Sequence, residues 1–347
     1  MIDWSLATSL AGLIAGEPGE TAPASGLDDL ARDAEARVGA YTGLVPATPI
    51  PAAEPVDRHE WIAASAETMG ALLDPALRSA GAGLGPLAPV LRVAAGAVLT
   101  AEMGVILGFL SQRVLGQYDL VLLEGEGERR EPRLLFVEPN LGAAARSFSA
   151  DEREVARWVA LHEVTHALQF AGVPWLRGHL ADLVRELLGA VELRVDTARA
   201  LRLPGPEDLR RLVAAVREAD IVSLAVRERE RETLARMQAV MSVVEGHAEH
   251  VMDAVGAEVL PSLPALRDAM ERRRRSASAP ARLLGRLLGL ELKLRQYEQG
   301  KRFCDTVVET GGMAALNRVW AAPEALPTQT ELERPGDWLA RVAAVPV

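Results

Sequence analysis

Residues 162–166 read His-Glu-Val-Thr-His, and this pentapeptide constrains the chain more than any other stretch. Two histidines four apart share a face only on a helix, where they stand about one turn apart. Glu163 is then rotated roughly 100° from His162. It misses a metal held by the two imidazoles yet reaches a water beside it, where a general base must stand. The surroundings are helical. Val155, Val159, His162, His166 and Phe170 recur at helical spacing, and Gly172 and Pro174 end the pattern. Ser149 and Glu152 predict an S-x-x-E capping box at its start. The alternative is a pair of histidines on a buried face with no metal.

The pattern is that of zinc hydrolases, whose catalytic metal needs a third protein ligand and an open fourth position. A metzincin-type extension is excluded, because Gln169 stands where it requires Gly and Gly172 where it requires His. A second helix with a carboxylate is the next place to look. Glu245 lies within a predicted helix over about 228–256, after the apolar approach Met241-Ser242-Val243-Val244. An unpaired charge there would be costly, so the choice is a metal ligand or an ion pair with an arginine. Glu249 is one turn on along the same face. This spacing resembles the E-x-x-x-(D/E) arrangement of thermolysin-like gluzincins. The resemblance makes Glu245 the third ligand and Glu249 the carboxylate that orients a ligand histidine through its other ring nitrogen. His247 and His250 point roughly 200° and 140° away from Glu245. His247 reads as structural. His250 and Tyr297 are candidate donors to a developing oxyanion, against simpler structural roles.

The 347 residues are 49% hydrophobic and 25% charged, the balance of a globular chain, with a net charge of −10 that argues against a nucleic-acid-binding surface. Two of 38 basic residues are lysines, Lys293 and Lys301, which together with the abundance of Ala, Gly and Pro reads as a GC-rich bacterial genome. Cys304 is the single cysteine, so an intramolecular disulfide is excluded and core filling is the expected role. The apolar run Leu6–Ile14 lacks a basic flank, and Arg92 and Glu102 interrupt the run at 86–110. The expectation is a cytoplasmic protein with no membrane partner.

Periodicity predicts a short helix and loop in 1–27, amphipathic helices over 28–40 and 57–73, and a long apolar helix over 86–116. Strands follow at Tyr118–Leu123 and Leu134–Glu138, joined as a hairpin, and helix dominates beyond 150. The fold class is mainly α with a small sheet, an α+β zincin-like architecture with the motif helix packed on the helix of Glu245. One unit over 1–347 is expected, with N-terminal helices and the sheet in 1–148 and a helical part with the metal site in 149–347. The strand Leu134–Glu138 is either a substrate-binding edge or part of a hairpin with no ligand. The run Arg272–Arg275 is either a basic patch or a solvated helix end.

Several segments together resemble the zincin-like hydrolases of actinobacteria associated with deazaflavin-coenzyme biosynthesis. They are Val56-Asp57-Arg58 with Trp61, Gly116-Gln117-Tyr118-Asp119, Pro139-Asn140-Leu141, the motif itself, and Glu245-Gly246. Gln296-Tyr297 with Gly300 and Phe303, and Leu326-Pro327-Thr328, complete the set. His247 and Glu249 stand where many members carry Trp and Asp. The resemblance implies Zn2+ on His162, His166 and Glu245, with Glu163 as base, acting on a peptide or a small amide of cofactor metabolism. A zincin scaffold that has lost catalysis and serves binding is the rival reading.

Overall fold

The computed structural model describes residues 1–19, 26–80, 88–123, 130–190, 228–275 and 290–344. The chain divides into two compact units, Met1–Ala181 with Ala248–Met270, and Asp182–His247 with Glu271–Val347. It is mainly helical, with a small three-stranded sheet.

In the first unit, helices α1 (Trp4–Ala15), α2 (Leu27–Thr42), α3 (Arg58–Ala80) and α4 (Ala88–Ser111) match the predicted order. Asp28 and Asp29 favour the first turn of α2, and Gly43 ends it in the left-handed conformation. The sheet has the order β1 (Ala53–Val56), β3 (Arg133–Val137), β2 (Gly116–Asp119), with β1 parallel and β2 antiparallel to β3. The antiparallel pair is the expected one, although β2 is shifted upstream of Tyr118–Leu123. Strand β1, with Pro55 in its sequence, carries no legible strand signal.

This topology corrects one expectation. The strand at Leu134 is the centre of the sheet, bonded on both sides, so it is not a substrate-binding edge. Its sequence explains why. Leu134 and Phe136 enter one core cluster with Val155, Val159 and Leu161, whereas Leu135 and Val137 enter another with Trp61, Ile62 and Leu107. A strand covered on both faces reads as a continuous apolar run rather than an alternation.

Helix α5 (Glu138–Phe148) starts directly at the end of β3, at Pro139-Asn140, and was not legible as a helix. The motif helix α6 (Glu152–Gly172) follows, and here the expected cap is also corrected. Ser149 is the left-handed residue that ends α5, while Asp151 caps α6 by accepting from the backbone N–H of Arg153 and Glu154 at 2.9 and 3.1 Å. Asp displaces the predicted Ser because its carboxylate sits one residue before the first helical turn and adds a favourable charge there. Helix α7 (Leu176–Ala190) comes next.

Buried polar ties hold the sheet against its helices. Arg58 Nε donates to Asn140 Oδ1 at 2.9 Å, and Asn140 Nδ2 donates to the carbonyls of Ser111 and Val114 at 2.7 Å each. Trp61 Nε1 donates to Gln117 Oε1 at 2.8 Å, Gln117 Nε2 donates to Asp119 Oδ1 at 2.9 Å, and Thr68 Oγ1 donates to both Asp119 oxygens. Burial raises the Asp119 pKa above its usual value, against the lowering effect of Thr68, Gln117 and Arg133. A raised folded pKa means that Asp119 contributes most below its unfolded pKa and loses that contribution as pH rises through the folded value. Asp119→Asn, which keeps an acceptor and removes the charge, is therefore expected to raise the melting temperature near neutral pH. The gain should vanish towards pH 4, and thermal melts across that range check it.

Helix α8 (Glu228–Val259) runs through both units, and from Ala248 onward it belongs to the first. There Val251, Met252 and Val255 join the core cluster of α6. Helix α9 (Leu263–Arg275) ends in the basic run, of which Arg272 is exposed. The side chains of 273–275, like the loop Ser276-Ala277-Ser278 and the predicted hairpin loop at 124–129, lie outside the described residues.

The second unit contains α10 (Leu290–Leu316), α11 (Gln329–Glu333) and α12 (Pro335–Ala343). Thr328 and Glu331 form a capping box on α11, and Arg341 pairs with Glu331 across the last two helices. Phe303 and Trp338 meet edge to face at 5.2 Å. Cys304 is fully buried, which pushes its thiol pKa up and fits core filling. Gly246 of α8 and Gly300 of α10 mark a helix crossing. A Cβ on Gly300 would lie 1.8 Å from the Ser242 carbonyl oxygen, and one on Gly246 would lie 2.1 Å from the Gly300 carbonyl carbon. Only glycine permits that approach. No helix among the described residues is long and apolar enough to cross a membrane.

Candidate metal centre

On α6, the one-turn spacing of the motif brings the two imidazoles together. Their Nε2 atoms face each other at 3.2 Å and the rings meet edge to face. Two nitrogens bound to one tetrahedral zinc at about 2.0–2.1 Å stand about 3.3 Å apart, so the spacing fits that ion. His166 is buried, and its other ring nitrogen, Nδ1, lies 2.9 Å from Gln169 Oε1.

The carboxylate comes from α8. Glu245 lies within this helix, three residues before Ala248. His162, His166 and Glu245 each offer one ligand atom, and these atoms all lie within 4.8 Å of one another. Two imidazoles and one carboxylate are a donor set suited to a hydrolytic zinc, with a fourth position left for water.

Glu163 is buried and held from the side of the sheet. The backbone N–H of Tyr118 donates to its Oε2 at 2.9 Å. Strand β2 comes this close because residue 116 is Gly: a Cβ there would lie 2.8 Å from Glu163 Cγ and 2.7 Å from Val159 Cγ1. The Tyr118 ring stacks on Phe170 of α6 at 6.0 Å. Burial raises the Tyr118 phenol pKa to about 12, opposed by the nearby Arg177, so the ring stays neutral at physiological pH. Gly116→Ala should push β2 off α6 and displace the carboxylate. The expected outcome is unchanged zinc content with turnover lowered by about a hundredfold, checked by metal analysis and kcat on the same preparation.

The other sequence candidates fall in varied places. His250 is buried, with Nε2 2.8 Å from the hydroxyl of Tyr41 on α2. His247 is fully buried and meets the Trp320 ring at 5.3 Å, in keeping with a structural role. Glu249 lies on α8 one turn after Glu245. Tyr297 lies on α10, but its side chain falls outside the described residues. Sequence reasoning missed Gln169, Gly116 and the Tyr118 amide. Of these only Gln169 left a signal, three residues beyond a ligand candidate and hence on its face of the helix.

A helix carrying the HExxH pattern is the mark of the zincin class of metal-site protein. The chain belongs to the zincin-like metallopeptidase family, whose model matches residues 2–339, nearly the full length. It is also similar to a crystal structure from Chloroflexus aurantiacus described as "a putative hydrolase with a novel fold", at 28% identity and a TM-score of 0.70, with 100% of each chain covered. A search of curated proteins found no match. The family is one of hydrolases, and its metal is typically zinc.

Proposed function

We propose that this chain is a zinc-dependent hydrolase that cleaves an amide bond, most simply in a peptide. The observation that carries the reading is the convergence of His162, His166 and Glu245 donor atoms within 4.8 Å, with the buried Glu163 on the same helix as the two histidines. Zinc would be held by His162, His166 and Glu245, and when bound it supplies Lewis acidity towards water and the substrate carbonyl. Glu163 accepts the proton of the attacking water on its carboxylate and passes it to the leaving nitrogen. The Tyr118 amide keeps that carboxylate aimed while the proton moves. Glu249 is assigned to orienting a ligand through the helix face it shares with Glu245. His250, steadied by Tyr41, and Tyr297 are assigned as donors to the oxyanion that develops.

Metal analysis by mass spectrometry tests the site. Purified wild type should carry a single zinc per chain, and His166→Ala and Glu245→Ala should lose it. Wild type that takes up no zinc, even on reconstitution, would sink the reading and leave a zincin scaffold used for binding. Where zinc is present, a screen of peptides against small amides decides the substrate class.

A further inference from the structure

We infer that Gln169 is a positioning residue that sets the tautomer of His166. This rests on the zinc reading above, and it assigns a role to a side chain which the HExxH pattern does not include.

Nδ1 of His166 and Oε1 of Gln169 are 2.9 Å apart, and both residues are buried, Gln169 with no exposure at all. A carbonyl oxygen only accepts, so the imidazole must donate: the proton of a neutral His166 sits on Nδ1. Its Nε2 is then the lone pair, on the side that faces His162 Nε2. A neutral imidazole offers a single lone pair, and a metal takes whichever nitrogen lacks the proton. In the other tautomer His166 would present an N–H where a ligand is needed, and a buried Gln169 carbonyl would face a lone pair. That arrangement sets two acceptors against each other at hydrogen-bond distance.

The helix supplies this device locally. Gln169 is three residues after His166, so the two side chains meet on one face whatever the rest of the chain does. The metzincin pattern spends this position on glycine, to turn the chain away from the helix. Here α6 continues to Gly172, and the position is free to carry an acceptor. The amide is neutral, so it orients the ring without adding negative charge next to a metal ligand. With the His166 Nε2 a lone pair, the close approach of the two Nε2 atoms is met by the His162 N–H in the metal-free protein or by a shared cation when metal is bound.

The test uses the full chain as wild type, Gln169→Leu and Gln169→Glu. Leu keeps the volume and removes the acceptor, whereas Glu keeps the acceptor. The zinc dissociation constant, read by chelator competition, should weaken by about 10- to 100-fold in Gln169→Leu and return to within about threefold of wild type in Gln169→Glu. In the metal-free proteins, ring 15N shifts of labelled histidine at a pH well above the imidazole range report the tautomer. Wild type should show His166 protonated on Nδ1, and Gln169→Leu should show a mixture. An unchanged tautomer in Gln169→Leu overturns the inference whatever the affinity does, since a packing defect alone would then explain any loss. A changed tautomer with unchanged zinc affinity overturns the role in metal binding. If wild type binds no zinc, the hydrolase reading falls, and the tautomer comparison still decides whether Gln169 governs His166.

Discussion

Glu163→Gln is expected to keep its zinc and lose turnover by about 100- to 10,000-fold. The amide has the size of the carboxylate and retains an oxygen for the Tyr118 N–H, which now lies 2.9 Å from Oε2. Helix, strand and ligand set therefore stay in place. What disappears is basicity: an amide cannot take a proton from water at neutral pH. Glu163→Ala would be less clean, because it also leaves the Tyr118 amide without its acceptor, at a cost of about 1–3 kcal/mol if that group stays buried. Zinc content and kcat measured together on Glu163→Gln separate the two roles. A variant that retains both metal and activity would move the base elsewhere. One that loses its metal would place Glu163 among the ligands.

The second large effect is on stability. Gly300→Ala puts a methyl 1.8 Å from the Ser242 carbonyl oxygen and 2.6 Å from its carbon. Both are backbone atoms of a helix, so no rotamer change relieves the clash and α8 and α10 must separate. The expected cost is about 3–5 kcal/mol, at the upper end for a single substitution, or roughly 4–7 °C in melting temperature for a chain of this size. Gly178→Ala is the matched control. That glycine lies in α7 with nothing within 4 Å of an added Cβ, so alanine should be neutral or add up to about 1 kcal/mol. The wedge at residue 300 also acts on the candidate centre. Gly246, which meets Gly300, is the neighbour of Glu245, so a shift of α8 at the crossing carries the carboxylate with it. Gly300→Ala is expected to bind zinc more weakly than wild type even where it remains folded. Thermal melts with and without a chelator read both effects, and a Gly300→Ala protein as stable as wild type would show that the crossing yields.

The presence of glycine at 246 and 300 thus has a steric explanation. So does the resemblance at Gly116-Gln117-Tyr118-Asp119. Gly116 lets the strand touch Glu163, Gln117 and Asp119 form the polar tie to Trp61 and Thr68, and Tyr118 gives its backbone N–H to the carboxylate.

The sequence by itself determined what a helix can decide. Spacing of four put His162 and His166 on one face, turned Glu163 away from them, and placed Glu245 and Glu249 in register on a second helix. These are properties of 3.6 residues per turn and need no partner. It also determined that the strand at Leu134 is apolar throughout, though not that this means a central position covered on both faces. The tertiary structure decided everything that depends on which distant groups meet. Tyr118 and Glu163 are 45 residues apart in the chain, and the Gly246–Gly300 crossing joins helices whose periodicity says nothing about their angle. The parallel pairing of β1 with β3 is of the same kind, a long-range hydrogen-bonding choice that a four-residue strand with a proline cannot announce. Local spacing fixes directions on an element. Only packing, through burial and the need of each buried polar group for a partner, fixes what stands in those directions.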